Sequence, residues 1–339
     1  MTFSAMSLGI NNVVDYIAVS TDGSAYISVY VWSDELGWGT KFADPASDPT
    51  SATRGIAFSK TKKDVAISGG VTPFIFVYPF VGGFGTKYAN PATLPTSGAA
   101  DVEFTPSGDA VAVAEINSPR VLAYPFTSGT GFGTKYANPA TLPATQGTGV
   151  TWSPSGSFIA VATDVSPRIQ VYPWSGSGFG TKVANPANLP PANATGVDWT
   201  VNSNQIATSN RASPYTRAWP FTTTFGTVYS NPASLPPGNA ERLNFRRGTS
   251  DAIAIYSTVT PYVVAYPWNP GYGTKYSNPA TLPTGSAFGG GWSRTGNAIA
   301  VAHQTAPQVS IYAWSSGFGT KYADPASSVP ATGRDCSFV

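Results

Sequence analysis

Short apolar runs with a strand-like spacing fill most of the chain. In the stretch from Gly149, "GVTWSPSGSFIAVATDVSPRIQVYPWSGSGFGTKVANPANLP", an alternating Val150/Trp152 segment ends in the turn "SPSG" and is followed by the run "FIAVA". A Ser-Pro turn leads into "RIQVYPW", and a Gly-aromatic-Gly segment supplies a fourth extended piece. β-Branched and aromatic runs this short, punctuated by Gly, Pro and Ser, predict four strands joined by tight turns. The long amphipathic helices of an α-helical repeat array have no place in this pattern.

The same text then recurs. Gly-aromatic-Gly-Thr-Lys stands at Gly37, Gly83, Gly131, Gly178, Gly271 and Gly317, with a degraded copy at Thr224, at intervals of 46 to 48 residues. Each copy runs into Asn or Asp and then Pro-Ala, and the thirteen letters "GFGTKYANPATLP" occur twice unchanged, from Gly83 and from Gly131. A fixed period of this size marks stacked identical units. Four strands per unit, repeated radially, predict an all-β seven-bladed β-propeller occupying 1–339 as one domain.

Columns taken through the copies support this. The predicted inner strand carries Ile56, Val102, Val150, Val197, Leu243 and Cys336, broken by Gly290, and two residues later Phe58, Phe104, Trp152, Trp199, Phe245, Trp292 and Phe338. The second strand carries Ile17, Val65, Val111, Ile159, Ile206, Ile253 and Ile299, each followed by Ala. Such residues suit sheets packed face to face around an axis. The last inner-strand copy, "GRDCSFV", ends the sequence, so residues 333–339 are expected to complete the blade begun by 14–43, with 1–12 left as an extension. The Lys of each anchor is expected on an exposed edge, where it opposes edge-to-edge pairing.

Composition narrows the partners. Only 11% of residues are charged, while 42% are apolar and Gly and Pro number 35 and 30, which fits a folded chain of many short elements. A net charge of +2 makes no case for nucleic acid or an anionic membrane as an obligatory partner. Cys336 is the single cysteine, so no internal disulfide or multi-cysteine metal site is expected, and its column predicts burial. With no run of eighteen apolar residues and no basic segment ahead of an apolar one at the start, a soluble chain without a standard secretion signal or membrane insertion is expected.

The sequence Val-x-Trp-Ser-Pro-Ser-Gly, then "FIAVAT", then "IQVYPW", resembles the WD40 class of repeats over nearly the whole chain. The Gly-His pair of that class is absent and its Trp-Asp is replaced by "YPF", "YPW" or "WPF", so its structural His and Asp are not carried over. The low charge and the Gly, Thr, Asn and Pro content also resemble propellers of tailed-phage virion proteins. That resemblance implies a non-enzymatic scaffold or binding module in a tail, fibre or surface assembly, with host attachment as its task, protein partners or cell-surface glycan as its targets, and the virion as its location.

Chemistry-bearing residues are few. His303 is the single histidine and shares its column with Glu115 at the end of the second strand. A rim position beside a hairpin is one reading; the other has both facing a central channel as in propeller lactonases, which makes a channel-based hydrolase the third function class considered. No catalytic residue, metal site or cofactor is expected from the remaining motifs, since Gly-Phe-Gly-Thr-Lys lacks the gap of a phosphate loop. Lys60, Lys62, Lys63, Arg246, Arg247 and Arg294 lie in first-to-second strand turns and should share one basic face. On the opposite face, the variable hairpins carry Arg120, Arg168, Arg211, Tyr215 and Tyr262, residue types that dominate interfaces, and these are the expected partner surface. A multivalent lectin is the alternative, with the aromatics after the third strand (Trp32, Phe80, Phe126, Trp174, Phe221, Trp268, Trp314) serving either as sugar platforms or as blade packing.

Overall fold

The period-two runs become strands that bury both faces. The computed structural model describes residues 15–61 and 63–339, so the expected extension at 1–12 and Lys62 lie outside the described residues. Seven antiparallel sheets are formed. Their inner strands are Thr53–Phe58, Ala99–Phe104, Gly147–Trp152, Ala194–Trp199, Ala240–Phe245, Ala287–Trp292 and Gly333–Phe338. Each packs between the inner strands of its two neighbours, which closes a ring. We number the blades along the chain, the first being built from Asp15–Thr21, Ile27–Ser33 and Gly37–Lys41.

The first blade takes its inner strand from the far end of the chain, as expected. Gly333–Phe338 runs antiparallel to Asp15–Thr21 with Ile17 opposite Phe338 and Val19 opposite Cys336. Tyr16 and Val339 exchange two further backbone hydrogen bonds of 3.1 Å each. No blade edge is left open at this junction.

The fourth strand varies in a way the sequence explains. It spans Gly37–Lys41 in the first blade and Phe318–Lys321 in the seventh, shrinks to Gly131–Phe132 in the third, and elsewhere is a single bridge such as Trp174 to Phe179. Pro79, Pro173, Pro220 and Pro267 end the third strands of four shortened blades, and Pro125 holds the same column inside Val121–Thr127 of the remaining one; proline has no N–H to give an outer neighbour. Val31 and Ala313 hold that position in the two blades whose outer strand is long. The anchor lysines also have a local task. Lys87 donates to Asn90 Oδ1 at 2.6 Å and to the Tyr88 carbonyl at 3.0 Å, and Lys135, Lys182 and Lys275 clasp Asn138, Asn185 and Asn278 in the same way. Lys41 and Lys321 clasp Asp44 and Asp324. The repeated Lys and Asn therefore fasten the turn that carries the chain to the next blade.

In every blade three aromatics stack edge to face. In the fourth, Trp174 sits 4.6 Å from Trp152 and 5.3 Å from Phe179 between ring centres. The equivalent pairs recur in the other six. Such pairs add about 0.5–1.5 kcal/mol each beyond their buried area. The middle ring is buried in all seven blades. These aromatics are blade packing, and the sugar-platform alternative loses its surface.

Gly290, the gap in the apolar inner column, has a partner. Tyr256 stands where the other second strands have Ser20, Ser68, Ala114, Ala162, Ser209 and Ala302, and a Cβ at Gly290 would run into the Ala300 carbonyl oxygen of its own blade and lie 2.6 Å from Tyr256 Cε1. Bulk has moved from one strand to the next blade. Gly290→Val should lower stability by about 1–3 kcal/mol through overpacking, and adding Tyr256→Ala should recover part of it. Chemical denaturation of the four proteins in the cycle tests this; additive effects would refute the exchange.

Candidate functional site

The inner strands put their apolar residues between blades, so the alternate positions emerge toward the ring axis. Asp101 and Glu103 flank Val102, Arg242 and Asn244 flank Leu243, and Asp335 and Ser337 flank Cys336; Thr151 and Asp198 hold the position of Glu103 in the fourth and fifth blades. All of them line one axial cavity of about 480 Å³. Gly55, Gly149, Gly196 and Gly289 occupy the position of Asp101 in four other blades, which leaves the axis clear for one long side chain.

That side chain is Arg242. Its Nη1 donates to Asp101 Oδ2 at 2.6 Å across the ring, and its Nε stands 4.0 Å from Asp335 Oδ2. Each carboxylate is also held by two strands. Asp101 accepts from the Val102 and Val150 amides at 3.0 Å each, and Asp335 from those of Cys336 at 2.9 Å and Gly290 at 3.2 Å. Burial alone would favour neutral Arg242, but Asp101 and Asp335 outweigh it and hold the guanidinium charged. Burial likewise raises Asp335 to about 7 against the pull of Arg242. The triad crosses the axis within the cavity lining.

Glu103 and Asp198 stand on the wall above it. Burial, with the like charges of Asp198 and Asp101, raises Glu103 to about 8, opposed by a hydrogen bond from Thr151 and by Lys60. Asp198 is raised by burial to about 6, held down by the amides of Phe245 and Trp199, each 2.8 Å from its oxygens. The two groups thus differ in environment: Asp198 is fastened by backbone donors, whereas Glu103 has one hydroxyl. Environments that push two carboxyls apart divide them into an acid and a base.

Four of the expected basic residues ring the mouth: Lys60, Arg246, Arg247 and Arg294. Arg246 is engaged by Asp251 at 2.9 Å and Arg294 by Asp15 at 3.0 Å. Lys60 and Arg247 are exposed and form no ion pair among the described residues. Although both side chains reach solvent, partial desolvation against the cavity wall lowers both, with Glu103 and Asp198 opposing. Lys63 is exposed outside the cavity lining.

On the opposite face, Arg120, Arg168, Tyr215 and Tyr262 occupy left-handed turn positions with φ of 69°, 66°, 67° and 69° and are half-buried. Arg168 donates to the Pro190 carbonyl at 3.1 Å, and Tyr215 and Tyr262 pack on neighbouring cores. Arg211 is exposed and pairs with Glu241 at 2.7 Å. None of the five reaches the axial cavity.

His303 and Glu115 lie neither on an exposed rim nor in the channel, which corrects both expectations for them. Each ends a second strand, one strand removed from the axis, opposite Ala287 and Ala99 respectively. His303 Nε2 is 3.0 Å from Ser310 Oγ, and burial lowers the imidazole to about 4, leaving it neutral. Glu115 Oε2 accepts from the Thr96 amide at 2.7 Å. The overlooked signal was the inner-strand position between the apolar and aromatic columns: Ala57, Glu103, Thr151, Asp198, Asn244, Gly291 and Ser337 disagree where their neighbours agree. Among the described residues no three His, Cys, Asp or Glu side chains converge as a metal site, and no helix is long and apolar enough to cross a membrane.

No protein-family model and no curated protein matches the chain. Solved structures do. A candidate 6-phosphogluconolactonase from Bacteroides uniformis superposes with a TM-score of 0.72 at 13% identity, covering 96% of this chain and 99% of the other. The periplasmic gluconolactonase PpgL of Pseudomonas aeruginosa gives 0.71 at 13% identity, with 96% and 99% covered. A candidate 6-phosphogluconolactonase from Bacteroides fragilis gives 0.71 at 10%, with 97% and 98% covered. The likeness is one of fold. It corrects the resemblance to WD40 repeats and tailed-phage virion proteins: the Ser-Pro turns and aromatic strand ends behind the first serve propeller packing in general, and the low charge and Gly, Thr, Asn and Pro content behind the second is compositional. The non-enzymatic scaffold and host-attachment reading falls with it, and the axial cavity supplies titratable groups that a scaffold does not need.

Proposed function

We propose that this chain is a hydrolase that opens a small cyclic ester, a lactone, in its axial cavity. The observation that carries the reading is the meeting of Glu103, Asp198, Lys60 and Arg247 in one cavity whose axis Arg242 crosses. The lactonase names of the structures with this fold support it. Between pH 6 and 8 Asp198 is the ionised partner and Glu103 the protonated one. Asp198 takes a proton from water as the water oxygen bonds to the ester carbonyl carbon. The negative charge that develops on the carbonyl oxygen is stabilised by the cations Lys60 and Arg247. As the ring C–O bond breaks, Glu103 gives its proton to the departing oxygen. The product is the open hydroxy acid, and transfer of the proton from Asp198 to Glu103 restores the starting protonation of the pair.

The pH dependence follows with a definite sign. kcat/KM should rise as Asp198 ionises near pH 6 and fall as Glu103 loses its proton near pH 8, giving a bell. The test is acid release, followed by pH-stat, from five- and six-membered sugar-acid lactones with and without a phosphate group. Hydrolysis no faster than the spontaneous rate across the panel would refute the reading, and a profile flat from pH 5 to 9 would refute the assigned roles.

A further inference from the structure

Arg242 does more than occupy the axis. It starts from the sixth blade, reaches Asp101 of the third at 2.6 Å and stands 4.0 Å from Asp335 of the first. Its Nη2 also lies 3.4 Å from the Ala100 carbonyl. The three groups lie directly below the Glu103 position, because Asp101 and Glu103 are alternate residues of one strand.

We propose that Arg242 is the positioning residue of this site: by spanning the axis it blocks passage along it and sets the charge that Glu103 faces, so that substrate enters and product leaves only at the Lys60 and Arg247 mouth. The inference rests on the hydrolase reading for its consequence but not for its test. Glu103 is faced by Asp101 from its own strand, Asp198 and Thr151 from the inner strands of the fifth and fourth blades, Lys60 and Arg247 from two turns, and Arg242 from the sixth blade. With Arg242 in place the Asp101 charge is balanced where it would otherwise repel an ionised Glu103. A cavity of this volume with its axis blocked also restricts the substrate to a compact molecule, since no chain can thread the ring.

Two substitutions act on Glu103 in opposite senses. Arg242→Met removes a cation and leaves Asp101 unbalanced, so Glu103 should hold its proton to a pH higher by about one unit or more. Asp101→Asn removes the anion and leaves Arg242, so Glu103 should release its proton at lower pH. Carboxyl carbon NMR on protein labelled at its four glutamates, with Glu103→Gln to assign the signal, reads the shift without any turnover. Failure of the lactone panel would therefore leave this measurement intact. If Arg242→Met does not fold, Asp101→Asn decides. Opposite shifts support the proposal, while an unchanged Glu103 midpoint in Asp101→Asn, or shifts of one sign in both variants, overturns it. In an active enzyme the alkaline limb of kcat/KM should move with the NMR midpoint, which a purely structural role for Arg242 would not produce.

Discussion

Glu103→Gln is expected to remove lactone turnover, lowering kcat/KM by about two to four orders of magnitude, the range typical for loss of a general acid. The amide has nearly the volume of the acid and can keep the Thr151 contact, but it has no proton to give the departing ring oxygen. Stability should hold near neutral pH, since Glu103 is raised to about 8 and is already uncharged there, and the amide has nearly its volume. Glu115→Gln is the informative control, because Glu115 is held by Thr96 and Ser97 away from the cavity. Its folded fraction should turn over at the native rate. A fully active Glu103→Gln enzyme would remove Glu103 from the chemistry.

Deleting residues 333–339 should abolish the folded ring. The segment supplies the whole inner strand of the first blade, with Cys336 and Phe338 in the core shared by the first and seventh blades and Val339 in the core shared with the second. It also supplies Asp335, so the axial triad would lose a member. Domains of this kind are stable by only about 5–15 kcal/mol, and losing Phe338 alone should cost about 3–5 kcal/mol as a buried aromatic truncation. The deletion should give insoluble protein or a much lower melting temperature, and Phe338→Ala a single weakened transition. A deleted protein that melts as the native one does would rule out closure through this strand.

The two expectations differ in how far they could be seen in advance. Ring closure was visible because "GRDCSFV" matches six earlier copies while the first copy of the second strand has no inner strand beside it. The site was not. Search by residue type led to His303 and Glu115, yet strand order leaves both one layer from the axis. Lys60, Arg246, Arg247 and Arg294, expected on one face, do gather along the cavity lining, although the sequence reading placed the partner surface on the opposite face. Their meaning changed once Glu103 and Asp198 were found beneath them.

By itself the sequence determined the seven blades, the columns of their inner and second strands, and the shared closing blade. These features are local and repeat every 46 to 48 residues, so hydrogen-bonding capacity and alternation are enough to predict them. Only the tertiary structure decided which polar residues form a site. Arg242 and Asp101 are 141 residues apart and meet because the ring closes, and the raised Glu103 follows from burial and neighbouring charges that no single repeat contains.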